Sequence, residues 1–394
     1  MCQPISCSYV FTFVLLTALS STLLADAFFP QPLGLSRKCI SDLAQKRYQS
    51  REGDPFPMLG KVAVITGAAG GIGRALTRVV HELGGTIIAM DRNTTGLNIL
   101  RDTLGADRVV TLPTNHEDLS SVSRSAEEIL TRFGSIDLLV NNAGLAYPPD
   151  SKVGDPRMKS VHGYDLAFTV NYLSHFLLVE KLKPLLSTTR RSRVIHLTST
   201  YHWKVDGSEL IPSNPMSQPM AYQSDPSLQG PKHVERSYGN TKLAQIWHSR
   251  SIRGVDSVCA CPTWVGTGIG GEESRDFLET MAFPVDGAGI SSALNAMLRT
   301  EEELGDALND GRMIVANSRV LEYLPAKEVW TARWFTNLGW RDGLADLWGF
   351  VLLLGQRFTF EKFLVQQSSP ESHNNREGRE LFYQWSLREV QPWL

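Results

Sequence analysis

Basic charge is in short supply: 39 Lys and Arg face 41 Asp and Glu, leaving a formal net charge of −2. Without a basic excess or an extended Lys/Arg run there is little to displace counterions from a polyanion, so nucleic acid is not an expected partner. Cysteine is scarce as well. Of the five present, Cys2 and Cys7 lie near the start, and Cys39, Cys259 and Cys261 are too few for a disulfide framework. Cys259 and Cys261 fall two apart in an apolar stretch that reads as a strand, so they share a face and act as small core hydrophobes. No further ligands stand at zinc-site spacing from that pair, and no metal is expected. Low-complexity tracts and internal repeats are absent. A hydrophobic fraction of 42% with 20% charged residues excludes wholesale disorder and a polytopic membrane protein.

What is present begins with a leader. From Tyr9 to Ala25 no residue is charged, and the run ends in Ala25-Asp26-Ala27, the small-x-small form of a signal-peptidase site. Residues 1–27 are expected to be a signal peptide that enters the secretory pathway. The other reading is a signal anchor, which the many Ser and Thr and a length below the ~20 residues of a membrane span disfavour. Phe28-Phe29-Pro30 follows, and then Arg37, Lys38, Lys46, Arg47 and Arg51 occur against Asp42 alone. A signal followed by Phe and a basic stretch resembles the bipartite presequence of plastids acquired by secondary endosymbiosis. Residues 28–57 are thus a presequence or, for an endoplasmic reticulum or endomembrane protein, a linker.

From Lys61 short β-branched runs alternate with amphipathic helices. Lys61–Thr66, Thr86–Met90, Val109–Leu112, Ile136–Val140, Val194–Thr198 and Val258–Cys261 read as strands buried on both faces. Gly73–Leu83, Asp118–Phe133, Tyr164–Leu186 and Tyr238–Arg253 have helical spacing. The alternation predicts an α/β, Rossmann-type doubly wound parallel sheet over residues 58–394, as a single domain. Two stretches interrupt it. Residues 201–237 carry five prolines and read as a lid or a surface insertion. Residues 320–375, with Trp330, Trp334, Phe335, Trp340, Trp348 and apolar Gly349–Leu354, read as packed core, lid, oligomer contact or membrane-surface patch. That apolar run is too short to span a bilayer.

The segment Thr66-Gly67-Ala68-Ala69-Gly70-Gly71-Ile72-Gly73 joins the first strand to a helix. Gly67, Gly71 and Gly73 permit a tight turn and let backbone approach a pyrophosphate, which then meets the free N–H groups of the helix N-terminus. Asp91, about 20 residues on at the end of the second strand, completes the dinucleotide pattern. Its carboxylate would accept bonds from ribose hydroxyls and repel a 2′-phosphate, favouring NAD over NADP. Arg92 is the counterargument, since a guanidinium there could pair with that phosphate. Tyr238 and Lys242, four apart on a predicted helix, share a face. An adjacent ammonium and an oxidised nicotinamide would lower the phenol from its ordinary pKa near ~10, making Tyr238 a general acid or base.

The sequence TGxxxGxG at 66–73, Asn141-Asn142-Ala143-Gly144, Asn171, Ser199, Tyr238-x-x-x-Lys242 and Pro262-x-x-Val265-x-Thr267 together resemble the short-chain dehydrogenase/reductase superfamily. The resemblance covers about residues 58–317 and a terminal helix, Gly378–Val390, and is most like retinol dehydrogenase-type and protochlorophyllide reductase-type members. It implies that Ser199 donates a hydrogen bond to the substrate oxygen. Lys242 would bind the nicotinamide ribose, and Asn171 would hold a water for proton relay. It further implies a cofactor site in which Thr66 and Ile72 join the glycines. Asn141, Ala143 and Gly144, with Asn142, would border the adenosine ribose and support the sheet, and Pro262, Val265 and Thr267 would meet the nicotinamide and phosphates. Two positions depart from the pattern: Thr263 replaces the usual glycine, and Asn115 replaces the usual adenine-binding acid.

The function these residues imply is NAD(P)-dependent interconversion of an alcohol and a carbonyl on a bulky apolar substrate of the retinoid, steroid, lipid aldehyde or pigment class. A non-catalytic NAD(H)-binding regulator is disfavoured by the intact Tyr/Lys pair. A protochlorophyllide-type reductase is disfavoured by the expected lack of a reactive cysteine near Tyr238. A homo-oligomer and membrane-surface association through residues 320–375 are further expectations. For the leader, a fluorescent fusion of residues 1–60 is expected to label a plastid, and labelling confined to the endoplasmic reticulum would remove the presequence reading.

Overall fold

Strands that are apolar on both faces need cover on both faces, and a parallel sheet with flanking helices supplies it. In the computed structural model of the chain the first seven strands run parallel: β1 Val62–Thr66, β2 Thr86–Asp91, β3 Val109–Pro113, β4 Leu138–Asn141, β5 Arg193–Leu197, β6 Asp256–Cys261 and β7 Met313–Ala316. An eighth, β8 Phe363–Gln366, pairs antiparallel with β7. The order across the sheet is β3-β2-β1-β4-β5-β6-β7-β8. The structure describes residues 57–146, 156–189, 191–214, 217–222, 233–262, 288–316, 363–366 and 374–394, with single positions 265, 267, 269, 285, 368, 369 and 372.

Helices α1 Gly71–Glu82, α2 Thr94–Leu104 and α6 Ser291–Leu298 cover one face, and their buried side chains share a core with Ile65, Ile87, Val140 and Ile195. The other face carries α3 Leu119–Arg132, α4 Ser174–Thr188, α5 His233–Ser251 and the C-terminal α7 Arg376–Val390, packed on Val64, Ile88, Leu139 and Val194. The alternation of Ile65 to one side and Val64 to the other is the period-two rule applied to a strand without a polar face. Phe382 of α7 stacks on Tyr172 at 5.0 Å between ring centres and meets Trp247 edge-on at 5.7 Å. The C-terminal helix is therefore part of the core.

The expected strands are all present, and each expected helix is found with shifted ends. The segment expected as one helix over 164–186 is a short turn Leu166–Phe168, a π-helical turn Thr169–Leu173 and α4. Among the described residues α2, α6, β7, β8 and a one-turn helix Glu301–Leu304 went unpredicted. In α2 only Leu97 and Leu100 are buried, too sparse an apolar stripe to read as a helix. The strand β8 falls inside 320–375, so part of that expected insertion is a sheet edge, while its tryptophans and Gly349–Leu354 lie outside the described residues. Within 201–237 the described part is packed inward, with Trp203, Val205, Leu210 and Tyr222 buried. The leader lies outside the described residues, as does Thr263. No helix among the described residues is long and apolar enough to cross a membrane, and none of their side chains cluster as a metal site.

Among the buried imidazoles are His116, His175, His196 and His248. Burial pushes all four below their ordinary range, His116 to about 4, and for His248 the nearby Glu180 opposes that push. Because the folded values lie below the unfolded ones, the unfolded chain takes up protons first as pH falls below about 6.5. Stability is thus expected to fall from pH 6.5 toward pH 4, by up to ~1.4 kcal/mol per pH unit for each such histidine. Urea unfolding at pH 7, 6 and 5 checks this, and a midpoint independent of pH would contradict it.

Candidate active site

The chain leaves β1 at Thr66 and must reverse at once into α1. Gly67 takes φ +64°, and a Cβ placed there would lie 2.9 Å from Asn142 Nδ2 and 3.0 Å from Ala143 Cα. At Gly73 a Cβ would fall 2.1 Å from the Gly67 carbonyl oxygen, so helix and loop touch backbone to backbone. The Thr66 hydroxyl donates to the Val140 carbonyl at 3.2 Å and accepts the N–H groups of Asn142 and Ala143, each at 2.9 Å. Asn142 Nδ2 donates back to the Thr66 carbonyl at 2.6 Å. These bonds hold the ends of β1 and β4 together where the strand order reverses, which is where a crevice opens in such sheets.

A cleft of about 530 Å³ lies there. Of the expected cofactor residues, Gly67, Gly71, Ile72, Asp91, Arg92 and Asn115 line it, as do Asn142, Ala143, Gly144, Tyr238, Lys242, Pro262 and Thr267. Thr66, Gly73 and Val265 do not line it. Thr66 is fully buried, and Thr66 and Gly73 shape the wall from behind. Asn141, expected both to border the ribose and to support the sheet, is a core residue in the sheet whose amide lies 3.3 Å from His196 Nδ1. Thr114, His116, Glu117, Leu145, Val170 and Leu197 line the cleft without having been singled out. Their only signal was adjacency to β3, β4 and β5 termini.

The carboxylate of Asp91 is fixed at the end of β2, accepting the N–H of Ala69 at 3.0 Å and of Asn93 at 2.8 Å. Arg92, at the rim of the same cleft, pairs with Glu117 at 2.5 Å. The counterargument from Arg92 is thereby weakened, because its charge is already matched by a carboxylate at the same rim.

Ser199 follows β5 in extended conformation and caps a 3-10 turn, Thr200–Lys204. Its hydroxyl lies near the phenol of Tyr238 on α5, close enough to favour that phenol's ionised form. Lys242, one turn on, lies with Nζ 5.3 Å from the Tyr238 ring centre and donates to the Leu197 carbonyl at 2.8 Å and to Gln245 Oε1 at 3.2 Å. Asn171 sits on the π-helical turn, and its amide exchanges bonds of 2.9 Å with the Leu145 backbone and donates to Thr241 at 3.1 Å. Gln245 closes the circuit by donating to the Asn171 carbonyl at 2.9 Å. Sequence reasoning missed Gln245, because a glutamine on a helix carries no signal until its neighbours are known.

Two expectations are corrected by this geometry. The Tyr238 phenol is pushed up, not down: burial dominates, Cys261 and Tyr201 add to it, and the Ser199 hydroxyl only partly offsets it. Burial likewise lowers Lys242 to about 8, weakening the charge that was expected to act on the phenol. Second, Cys261 stands close enough to act electrostatically on both Tyr238 and Lys242, so a thiol does lie near the phenol. Cys259, two residues earlier on the same face, is a core thiol pushed up to about 12 by burial.

A family model described as short chain dehydrogenase matches residues 61–206, from β1 through Ser199 and the turn behind it. Over those residues the chain is similar to the short-chain dehydrogenase/reductase family. Among its relatives is the polyprenol dehydrogenase of Mus musculus, 32% identical over 176 residues, which are 42% of this chain and 50% of that protein. Another is retinol dehydrogenase 14 of Mus musculus, 33% identical over 181 residues, 42% of this chain and 52% of that protein. The chain thus spans about half the length of these curated relatives. A solved structure from Mycobacterium paratuberculosis, of an uncharacterized protein, superposes with a TM-score of 0.52 at 19% identity, covering 84% of this chain and 94% of that one, a likeness of fold alone.

The residues present fit the nicotinamide dinucleotide of this family: a glycine turn that leaves no room for side chains, a helix N-terminus behind it and a ribose-facing carboxylate. Gly73→Ala should force α1 from the loop, at ~1–3 kcal/mol of stability. NADH binding, read by fluorescence titration, is expected to be lost, and wild-type affinity in that variant would contradict the backbone contact.

Proposed function

We propose that this protein is an NAD-dependent dehydrogenase/reductase that interconverts an alcohol and a carbonyl on a bulky apolar substrate. The observation that carries the reading is the meeting of the Ser199 hydroxyl and the Tyr238 phenol beside a cleft walled by Gly67, Gly71 and Asp91. A nicotinamide cofactor brings hydride exchange with a carbon of the substrate. Residues Gly67 to Gly73, Asp91, Asn142 to Gly144, Pro262 and Thr267 would hold it, and Lys242 would reach its ribose.

The chain's own groups handle the oxygen and its proton. With its pKa raised by burial, Tyr238 keeps its proton on Oη, the state needed to protonate a carbonyl oxygen as it gains alkoxide character. Ser199 donates a hydrogen bond to that oxygen and stabilises the same charge. Lys242, at about 8, stands near ambient pH and can replace the proton, and Asn171 and Gln245 hold it in place. In the oxidative direction Tyr238 would take the proton, which requires that positive charge nearby first lower the phenol.

Support for NAD over NADP comes from Asp91 and Glu117 at the ribose end of the cleft, with Arg92 already paired. Support for an apolar substrate comes from the two lipid-alcohol dehydrogenases among the relatives and from the aromatic-rich stretch 320–375.

Turnover is best sought with NADH and NADPH against all-trans-retinal, farnesal and decanal. Tyr238→Phe is expected to lower kcat at least ~10²-fold with cofactor affinity retained, and unchanged turnover would defeat the role of that phenol. NADH is expected to bind more tightly than NADPH, and the reverse order would overturn the NAD preference.

A further inference from the structure

The turn that carries Ser199 is gripped from two sides. On one side it lies against the helix of Tyr238: a Cβ on Gly239 would fall 2.9 Å from the Tyr201 carbonyl oxygen, and the Tyr201 ring meets Tyr238 edge-on at 5.5 Å. On the other side stands His202, fully buried. Its Nδ1 lies 2.6 Å from the Ser199 carbonyl oxygen, and its Nε2 is 3.0 Å from the backbone nitrogen of Ser369. A carbonyl can only accept and a backbone N–H can only donate. The ring is therefore the neutral tautomer with its hydrogen on Nδ1, donating to Ser199 and accepting from Ser369.

Ser369 is itself anchored. Its carbonyl accepts the N–H of Ser372 at 3.0 Å and the Ser372 hydroxyl at 2.6 Å. The Ser372 carbonyl in turn accepts from Arg379 of α7 at 3.4 Å, and Ser368, Ser369 and Ser372 are all buried. A continuous line of bonds runs from the C-terminal helix to the backbone of Ser199. Nothing in the chemistry assigned above uses it.

We propose that His202 is a positioning residue for the reaction: it holds the Ser199 backbone so that the hydroxyl reaches Tyr238, and through Ser369 it makes that alignment depend on the segment after β8. The proposal rests on the reading of Ser199 and Tyr238 given under the proposed function. The physical case is leverage. Without the imidazole the Ser199 carbonyl keeps only the longer bond from the His202 backbone N–H at 3.3 Å, and a displacement of the hydroxyl of about 1 Å costs up to ~10²-fold in rate. The glycine wall of the cofactor cleft, Gly67 to Ile72, belongs to another part of the chain and would feel no such change.

Two polar substitutions separate the two bonds. In His202→Asn the side-chain amide nitrogen can stand where Nδ1 was and still donate to Ser199, while the reach to Ser369 is lost. In His202→Gln the longer side chain places its oxygen near the former Nε2 to accept from Ser369, and the bond to Ser199 is lost. Both variants, Ser369→Pro and Tyr238→Phe are made in the full chain. They are compared by kcat and KM with NADH and whichever of all-trans-retinal, farnesal and decanal is turned over, and by hydrogen exchange at the amides of Tyr201 and His202. The exchange measurement needs no substrate.

His202→Gln is expected to lower kcat ~10- to 100-fold with KM for NADH within about threefold, and to speed exchange at both amides. His202→Asn, which keeps the bond to Ser199 and loses only the anchor on Ser369, should lower kcat ~3- to 10-fold, less than His202→Gln. Ser369→Pro, which removes the N–H, should lower kcat and speed the same exchange. Equal kcat and equal exchange in His202→Gln and His202→Asn would overturn the proposal, as would a loss that appears only in KM. If Tyr238→Phe retains full turnover, the functional reading falls instead. In that event the exchange difference alone decides whether His202 anchors the turn.

Discussion

The hydroxyl of Thr66 is the knot of this structure. It donates to Val140 and accepts two successive amides, so the ends of β1 and β4 are bound to each other at the place where the strand order turns back on itself. Everything around the cleft takes its position from that join. Because Asn142 is drawn onto the Thr66 and Gly67 carbonyls, the glycine loop has no room for a side chain at Gly67, and α1 must start with Gly73 against the loop backbone. The free N–H groups of α1 consequently open on the same cleft as Asp91 and Ala143.

Against that rigid wall, the reactive groups are governed by burial more than by charge. A buried phenol resists ionisation and a buried amine resists protonation, so each moves toward its neutral form. Tyr238 and Lys242, whose free side chains have similar proton affinities, are thereby driven apart, the phenol upward and the amine downward. The compensation lies in polar neighbours: Ser199 by the phenol, and Leu197 and Gln245 on the lysine. The proton therefore stays on the phenol in the free cleft, and an ammonium at Lys242 can return one downhill to a phenolate.

The fold was legible to the extent that each element bore its own period. Val62–Thr66 and Leu138–Asn141 are recognisable because a strand buried on two faces must be apolar throughout. By contrast α2 buries too few residues to show a stripe, and β8 is four residues long and owes its conformation to pairing with β7. The same division holds in the site. Gly67, Gly71, Asp91, Tyr238 and Lys242 were readable because spacing ties them to one another or to a strand end. Gln245, His202 and Ser369 were not, since each matters only through a partner brought near by folding, 74 residues away for Gln245 and 167 for the pair His202 and Ser369.

The amino-acid sequence by itself determined the alternation of strand and helix, the glycine turn and the identity of the groups able to exchange a proton, because these follow from local periodicity and from side-chain chemistry. Only the tertiary structure decided that Asn141 faces the core instead of the cleft, that Cys261 lies beside the phenol, and that Tyr238 holds its proton tightly. Desolvation and long-range contact set those outcomes, and both come into being when distant segments exclude water from one another.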